Sequence, residues 1–197
     1  NIGSPMPKFT FGWTNTFRYK NFDLSVFING SYGNKVYNYL SMKLTHMNSP
    51  WTNQLNAVNG RAQLVPINPN KVYEDGTMWY NDVSNVMVAN PGASIPRATI
   101  NDPNDNDRIS DRYIEDGSYI RLKNISLGYT FPKKTIDKLG LSNLRIYANI
   151  QNLLTITGYD GYDPEIGAST SSVNVYGLDN GRYPSPTVYS FGLNVSF

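Results

Sequence analysis

The sequence predicts an all-β fold, an antiparallel transmembrane β-barrel of which this chain supplies five strands. Three observations carry that prediction. Several segments alternate apolar and polar residues over 9 to 13 positions, the reach of a tilted membrane strand, which needs roughly 9–11 residues. The connections between them run short, very long, medium and long. The composition favours strands and polar loops: Tyr 15, Phe 8 and Gly 16 stand beside only 16% charged residues among 197.

The first strand covers about 8–19. Phe9, Phe11, Trp13, Phe17 and Tyr19 fall on one face and Lys8, Thr10, Gly12, Thr14, Thr16 and Arg18 on the other, with Asn15 breaking the apolar row. Lys20-Asn21 is a short turn. The second strand, about 22–32, sets Phe22, Leu24, Val26 and Ile28 against Asp23, Ser25, Asn29 and Ser31, with Phe27 out of pattern. Two such runs around a two-residue turn read as a hairpin.

From 33 to 117 the alternation disappears. Pro50, Pro66, Pro69, Pro91, Pro96 and Pro103 punctuate the stretch, and its tract Asn101 to Asp107 is too polar to bury a core. A connection this long is functional or disordered. A short helix is expected between Val36 and Met47.

The third strand, about 119–131, alternates Ile125, Leu127, Tyr129 and Phe131 with Asn124, Ser126, Gly128 and Thr130. Ile120 and Leu122 are out of phase with that row, which a β-bulge near Lys123-Asn124 would repair. Pro132 ends the strand, and Lys133 to Leu139 reads as a helical turn closed by Gly140. The fourth strand, about 143–153, carries Leu144, Ile146, Ala148 and Ile150 on its apolar face. A second long loop, 155–186, follows. The fifth strand, about 188–197, alternates Tyr189, Phe191, Leu193, Val195 and Phe197 with Ser190, Gly192, Asn194 and Ser196.

If short connections share one side, the two long loops, 33–117 and 155–186, share the other. Outer-membrane barrels have short periplasmic turns and long extracellular loops, so the chain end is expected in the periplasm. Tyr19, Phe22, Phe131 and Phe197 then form an aromatic girdle at the periplasmic interface. The competing reading is a soluble β-sandwich with these faces packed into a core. Its strands are usually shorter and its loops compact. Five strands cannot close a membrane barrel, since open edges are not tolerated in lipid. The chain is therefore expected to be the C-terminal part of a larger barrel.

Several function classes are disfavoured by composition. Net charge is +2, without a dense Lys/Arg cluster, so no nucleic-acid partner is expected. Cys is absent, which removes disulfides, zinc clusters and a Cys nucleophile. His46 has no spaced His or Cys partner. An EF-hand register from Asp102 fits at Asn104 and Asn106 but fails at Asp107 and Tyr113, so the tract reads as a solvated loop tip. No Gly-x-Ser-x-Gly motif occurs. Glu115 and Asp116 are adjacent on a strand and point apart, so they are poor candidates for joint acid–base work. No enzyme activity, metal or cofactor is expected.

Two sets of residues remain as candidates. Trp51, Trp79 and Tyr80 offer aromatic faces to sugar rings or peptide side chains, or anchor their own loop. Phe197, with Val195 and Leu193 behind it, resembles the terminal signal read by the barrel-assembly machinery. The bland reading of Phe197 is a lipid-facing girdle residue.

The opening Pro5-Met6-Pro7-Lys8-Phe9-Thr10-Phe11-Gly12, the run Asn21 to Phe27 and Gly30-Ser31-Tyr32-Gly33 resemble the SusC/RagA family of TonB-dependent outer-membrane transporters. Ile95-Pro96-Arg97-Ala98, Ser110 to Asn124 with its continuation to Tyr129, Ala148 to Leu153, and Tyr159-Asp160-Gly161-Tyr162-Asp163-Pro164-Glu165 resemble it too. The resemblance implies a barrel of roughly 22 strands, an N-terminal plug and a TonB-contacting segment outside this chain, and a SusD-like surface lipoprotein as lid. It implies import of oligosaccharides or peptides across the outer membrane, and a structural role for Glu115 and Asp116 at the top of the third strand with Arg112 or Arg121 as partner. The alternative is a related barrel serving as a surface scaffold or as a secretion or assembly component.

Overall fold

The computed structural model describes residues 2–165 and 176–197. In chain order its strands and α-helices are β1 (Phe9–Tyr19), β2 (Phe22–Tyr32), β3 (Lys35–Asn38), α1 (Tyr39–Thr45), β4 (Leu64–Pro66) and β5 (Val86–Val88). Then follow β6 (Ile114–Asp116), β7 (Tyr119–Thr130), α2 (Lys133–Ile136), β8 (Asn143–Thr157), β9 (Leu178–Asp179) and β10 (Val188–Ser196).

The chain divides into two compact units. One joins residues 2–38 to Ile114–Phe197, and the other is Tyr39–Tyr113. The first holds a five-stranded antiparallel meander in the order β1-β2-β7-β8-β10. Its register aligns every strand's apolar row. Leu24 lies opposite Leu127, Leu127 opposite Ala148 and Ala148 opposite Phe191. Phe17 extends the same row on β1, opposite Leu24.

The β-bulge falls at Lys123. On β2, Phe27 pairs with Asn124 while Ile28 pairs with Leu122, so Lys123 is the extra residue. It restores Ile120 and Leu122 to the face of Ile125, Leu127 and Tyr129. β8 answers with its own irregularity: Leu122 faces Leu154 and Asn124 faces Gln151, while Asn152 has a φ of +52°. The fourth strand therefore does not stop near 153. It runs on to Thr157, with Leu154 and Ile156 returned to the apolar face. Broken alternation at Asn152-Leu153 marks a bulge, not an end.

Phe27, the exception on the polar face, lies over Gly12, whose missing side chain leaves room for the ring. The turn after β7 closes as expected, with Gly140 in the left-handed region at φ +69°.

The expected loop 33–117 is not devoid of structure. Its ends, β3 and β6, pair antiparallel, and β9 adds to β3 in parallel, making a small sheet. Val36, Asn38, Tyr159 and Asp179 are buried around it. The second unit forms from the middle of that stretch. α1 lies within the predicted interval, β4 pairs with β5, and Met42, Ile95 and Tyr113 are buried with Thr45, His46 and Asn85. Of the expected loop 155–186, residues 166–175 lie outside the described residues.

The five-stranded sheet itself has no buried hydrophobic residue among those described. Trp13, Phe17, Tyr189, Phe191 and Leu193 are all exposed, Phe191 by 84%. Among the described residues, no helix is long and apolar enough to cross a membrane.

Candidate functional site

The polar face of the sheet is built from Thr14, Thr16, Ser25, Ser126, Asn149 and Ser190 in its middle rows, with charges at its ends. Towards the short-turn end, Arg145 of β8 holds Asp23 of β2 through Nη2 at 2.6 Å and Nε at 3.2 Å. Gly128 of the intervening β7 has no side chain to obstruct them.

At the long-loop end, the charges gather around one buried cation. Arg121 is 3% exposed. Its Nε donates to Thr155 Oγ1 at 2.8 Å, its Nη1 to Glu165 at 2.7 Å, and its Nη2 to Asp163. Lys123, the bulge residue, donates to the same Glu165 oxygen at 2.7 Å. Burial pushes the Asp163 carboxyl up, but hydrogen bonds from Arg121 and from the Ser185 and Glu165 amides hold it below its ordinary value. A buried guanidinium needs such partners, because one left alone is very costly. The cluster ties residues 163–165 and Ser185 to the strand.

Tyr159 is fixed beside it. Its hydroxyl donates to Asp179 at 2.5 Å, with both residues buried. Burial, then the Asp179 carboxylate, pushes the phenol far above its usual range, so it remains a donor.

Glu115 and Asp116 do go to separate partners, but neither is Arg112 or Arg121. Glu115 accepts from Asn38 at 2.9 Å and from the Asp160 amide at 3.0 Å, while Asp116 accepts from Ser118 and pairs with Lys35 at 3.3 Å. Arg121 is claimed by Asp163 and Glu165. A sequence signal for this exists. Arg121 and Lys123 are two apart, as are Asp163 and Glu165, so each pair offers two like charges at matching spacing.

In the second unit, the tract from Asn101 is not wholly solvated. Asp102 is nearly buried, meets His46 Nε2 at 2.9 Å and accepts from Asn106 twice at 2.5 Å. Burial alone would raise its pKa, yet the Asn106 and His46 contacts leave it lowered. His46 thus has a partner, 56 residues away in sequence.

The same unit carries a cavity of about 380 Å³ lined by Asn68, Lys71, Tyr73, Met78 and Trp79, among others. Its wall is pinned by Asp82, which binds Lys71 at 2.5 Å and Tyr73 at 2.9 Å. Buried Asn85 bonds Asn68 and Tyr73. Lys71 first, then Ser84 and Tyr73, hold the Asp82 carboxyl far below the usual range. Of the aromatic candidates, Trp79 lines this cavity and Tyr80 packs edge-on against it at 5.7 Å. Trp51 is 93% exposed and outside the lining. Phe197 is 94% exposed, and its carbonyl accepts from Ser142 at 3.1 Å.

A two-faced antiparallel meander, apolar on one side, polar on the other and without a core of its own, is a segment of a membrane β-barrel. Comparison with known proteins makes the class specific. No protein-family model matches the chain. TonB-dependent receptor P3 of Formosa agariphila is 36% identical over the whole chain, and TonB-dependent receptor P26 of the same organism is 33% identical. TonB-dependent receptor SusC of Bacteroides thetaiotaomicron is 29% identical over 94% of the chain. Among solved structures, the RagAB peptide transporter superposes over 99% of the chain with a TM-score of 0.68 at 20% identity, a likeness of fold. The chain spans only 15–18% of the length of these proteins. The chain belongs to the SusC-like TonB-dependent receptors, outer-membrane proteins, and forms part of their larger barrel. None of these relatives is named as an enzyme.

Proposed function

We propose that this chain forms the C-terminal wall of an outer-membrane importer of oligosaccharides or peptides. The observation that carries this reading is the five-strand apolar face, continuous in register and with none of its hydrophobic residues buried, backed by an equally continuous polar face. Lipid suits the first and a wet lumen the second. The free edges of β1 and β10 require neighbouring strands, because unpaired backbone is not tolerated in hydrocarbon.

In this reading the turns at Lys20-Asn21 and 131–142 face the periplasm and the segments 33–118 and 158–187 face outward. A SusD-like lipoprotein covers the outer mouth, and energy comes through TonB by parts of the protein beyond this chain. The cavity at Trp79 and Tyr80 supplies a substrate contact, with Trp51 as an outlying aromatic. Leu193, Val195 and Phe197 form the signal for barrel assembly.

The test is uptake by cells carrying or lacking the full-length gene, challenged with a panel of oligosaccharides and peptides. Growth or uptake lost for one class and restored by complementation supports import. Unchanged uptake of every member, with the protein present at the surface, favours a scaffold.

A further inference from the structure

The apolar face of the sheet is not uniform. A trough of about 530 Å³ opens on it around Ala148, walled by Leu127, Tyr129, Ile146, Phe191 and Leu193. Its origin is in the register. Ala148 sits between Leu127 and Phe191 in one cross-strand row, so a small residue stands where its neighbours are large. The volume lies within the roughly 300–1,000 Å³ range of ligand clefts.

The trough ends in a different chemistry. Phe22 and Phe131 pack on Tyr129 at ring separations of 4.7 Å and 5.0 Å. Beyond Phe131 the chain passes Pro132 into α2, where Lys133 and Lys134, then Lys138, are exposed. Ile136 is buried 2% exposed and anchors that turn, leaving Leu139 67% exposed beside the lysines. Lys20 is exposed in the adjacent hairpin turn. The acids nearby are Asp137, on the same turn, and Asp23, which points to the other face and is held by Arg145. The short-turn end of the apolar face is therefore basic, directly past an aromatic belt.

We infer that this trough and its lysines bind one anionic glycerophospholipid. An acyl chain lies over Ala148, and the phosphate is met by Lys133, Lys134 and Lys138. An apolar slot alone accepts any acyl chain. The cations at its end select the headgroup, each Lys near a membrane surface favouring an anionic lipid by about fivefold. The inference rests on the reading above that the apolar face meets lipid and that the short turns are periplasmic.

The test uses the full-length receptor purified in detergent and incubated with phosphatidylglycerol and phosphatidylethanolamine of identical acyl chains. Retained lipid is read by native mass spectrometry. Wild type should retain phosphatidylglycerol over phosphatidylethanolamine by tenfold or more. The triple variant K133Q/K134Q/K138Q should retain both equally, and Ala148→Phe should retain neither. An unaltered heat-modifiable band in gels verifies that each variant is folded. Equal retention of the two lipids by wild type, or an unchanged preference in the triple lysine variant, overturns the site. Lysine-dependent retention of lipopolysaccharide instead overturns the orientation and with it the phospholipid assignment. Uptake is measured separately, so that normal import without headgroup preference removes this inference alone.

Discussion

Arg145 on β8 reaches across β7 to Asp23 on β2, with 2.6 Å between its Nη2 and the carboxylate. The residue beneath them is Gly128. A Cβ there would stand 2.3 Å from the Arg145 guanidinium and 2.6 Å from the Asp23 carboxylate. Both charged side chains are about a quarter to a third exposed, so the pair itself contributes little, of the order of 0–1 kcal/mol. Asp23→Asn should therefore cost less than about 1 kcal/mol. Gly128→Leu should cost more, about 1–3 kcal/mol, because it overpacks the crossing. The temperature at which the heat-modifiable band is lost should fall more for the glycine variant. Equal falls would show that the glycine is not kept for the crossing.

Arg121 should behave differently. It is buried and holds two carboxylates, so Arg121→Met leaves Asp163 without its cation while Glu165 keeps only Lys123. A loss of roughly 3–5 kcal/mol is expected for breaking such a pair. Deuterium uptake at 158–165 should rise first, before the sheet is affected. Protection unchanged in that segment would show that the cluster does not anchor it.

The same cluster sets a pH dependence. The folded Asp163 carboxyl is held below its ordinary value of 3.8. A depressed acid contributes stability that is complete above that value and is lost as pH falls through the lower, folded one. Hydrogen exchange at 158–165, corrected for its intrinsic rate, should be steady from about pH 6 to about pH 4 and accelerate below. In Asp163→Asn that acceleration should be absent.

Tyr159→Phe removes the donor to Asp179 in a buried site, and a buried acceptor left unpaired costs about 1–3 kcal/mol. The expected readout is faster proteolysis at 176–187. Trp79→Ala should weaken substrate binding by about tenfold, ~1.4 kcal/mol, whereas Trp51→Ala, outside the cavity, should change it less than twofold. Isothermal titration of the full-length receptor with its identified substrate separates the two.

Deleting Phe197 should reduce the amount of full-length receptor inserted in the outer membrane. Surface labelling measures it, and undiminished surface abundance would leave Phe197 as a girdle residue only.

Most of the sheet was legible in the sequence, because a two-faced strand writes its environment at period two. The apolar rows from Phe9 to Tyr19 and from Tyr189 to Val195, the bulge at Lys123 and the turn closed by Gly140 all follow from local pattern. The continuation of β8 past Asn152 was harder to see. A bulge on one strand and a bulge on its partner cancel only when the two are paired.

What the chain determines by itself is the alternation, and hence which residues lie on the apolar face of the sheet and which on the polar one. Tertiary structure alone decided the partners of its charges. Arg121 meets Asp163 and Glu165 across 42 and 44 residues, and His46 meets Asp102 across 56. The matched spacing of Arg121–Lys123 and Asp163–Glu165 makes such a pairing compatible, but no local period selects it. Such meetings depend on where the long segments return, and a buried charge accepts whichever opposite charge the fold brings within reach.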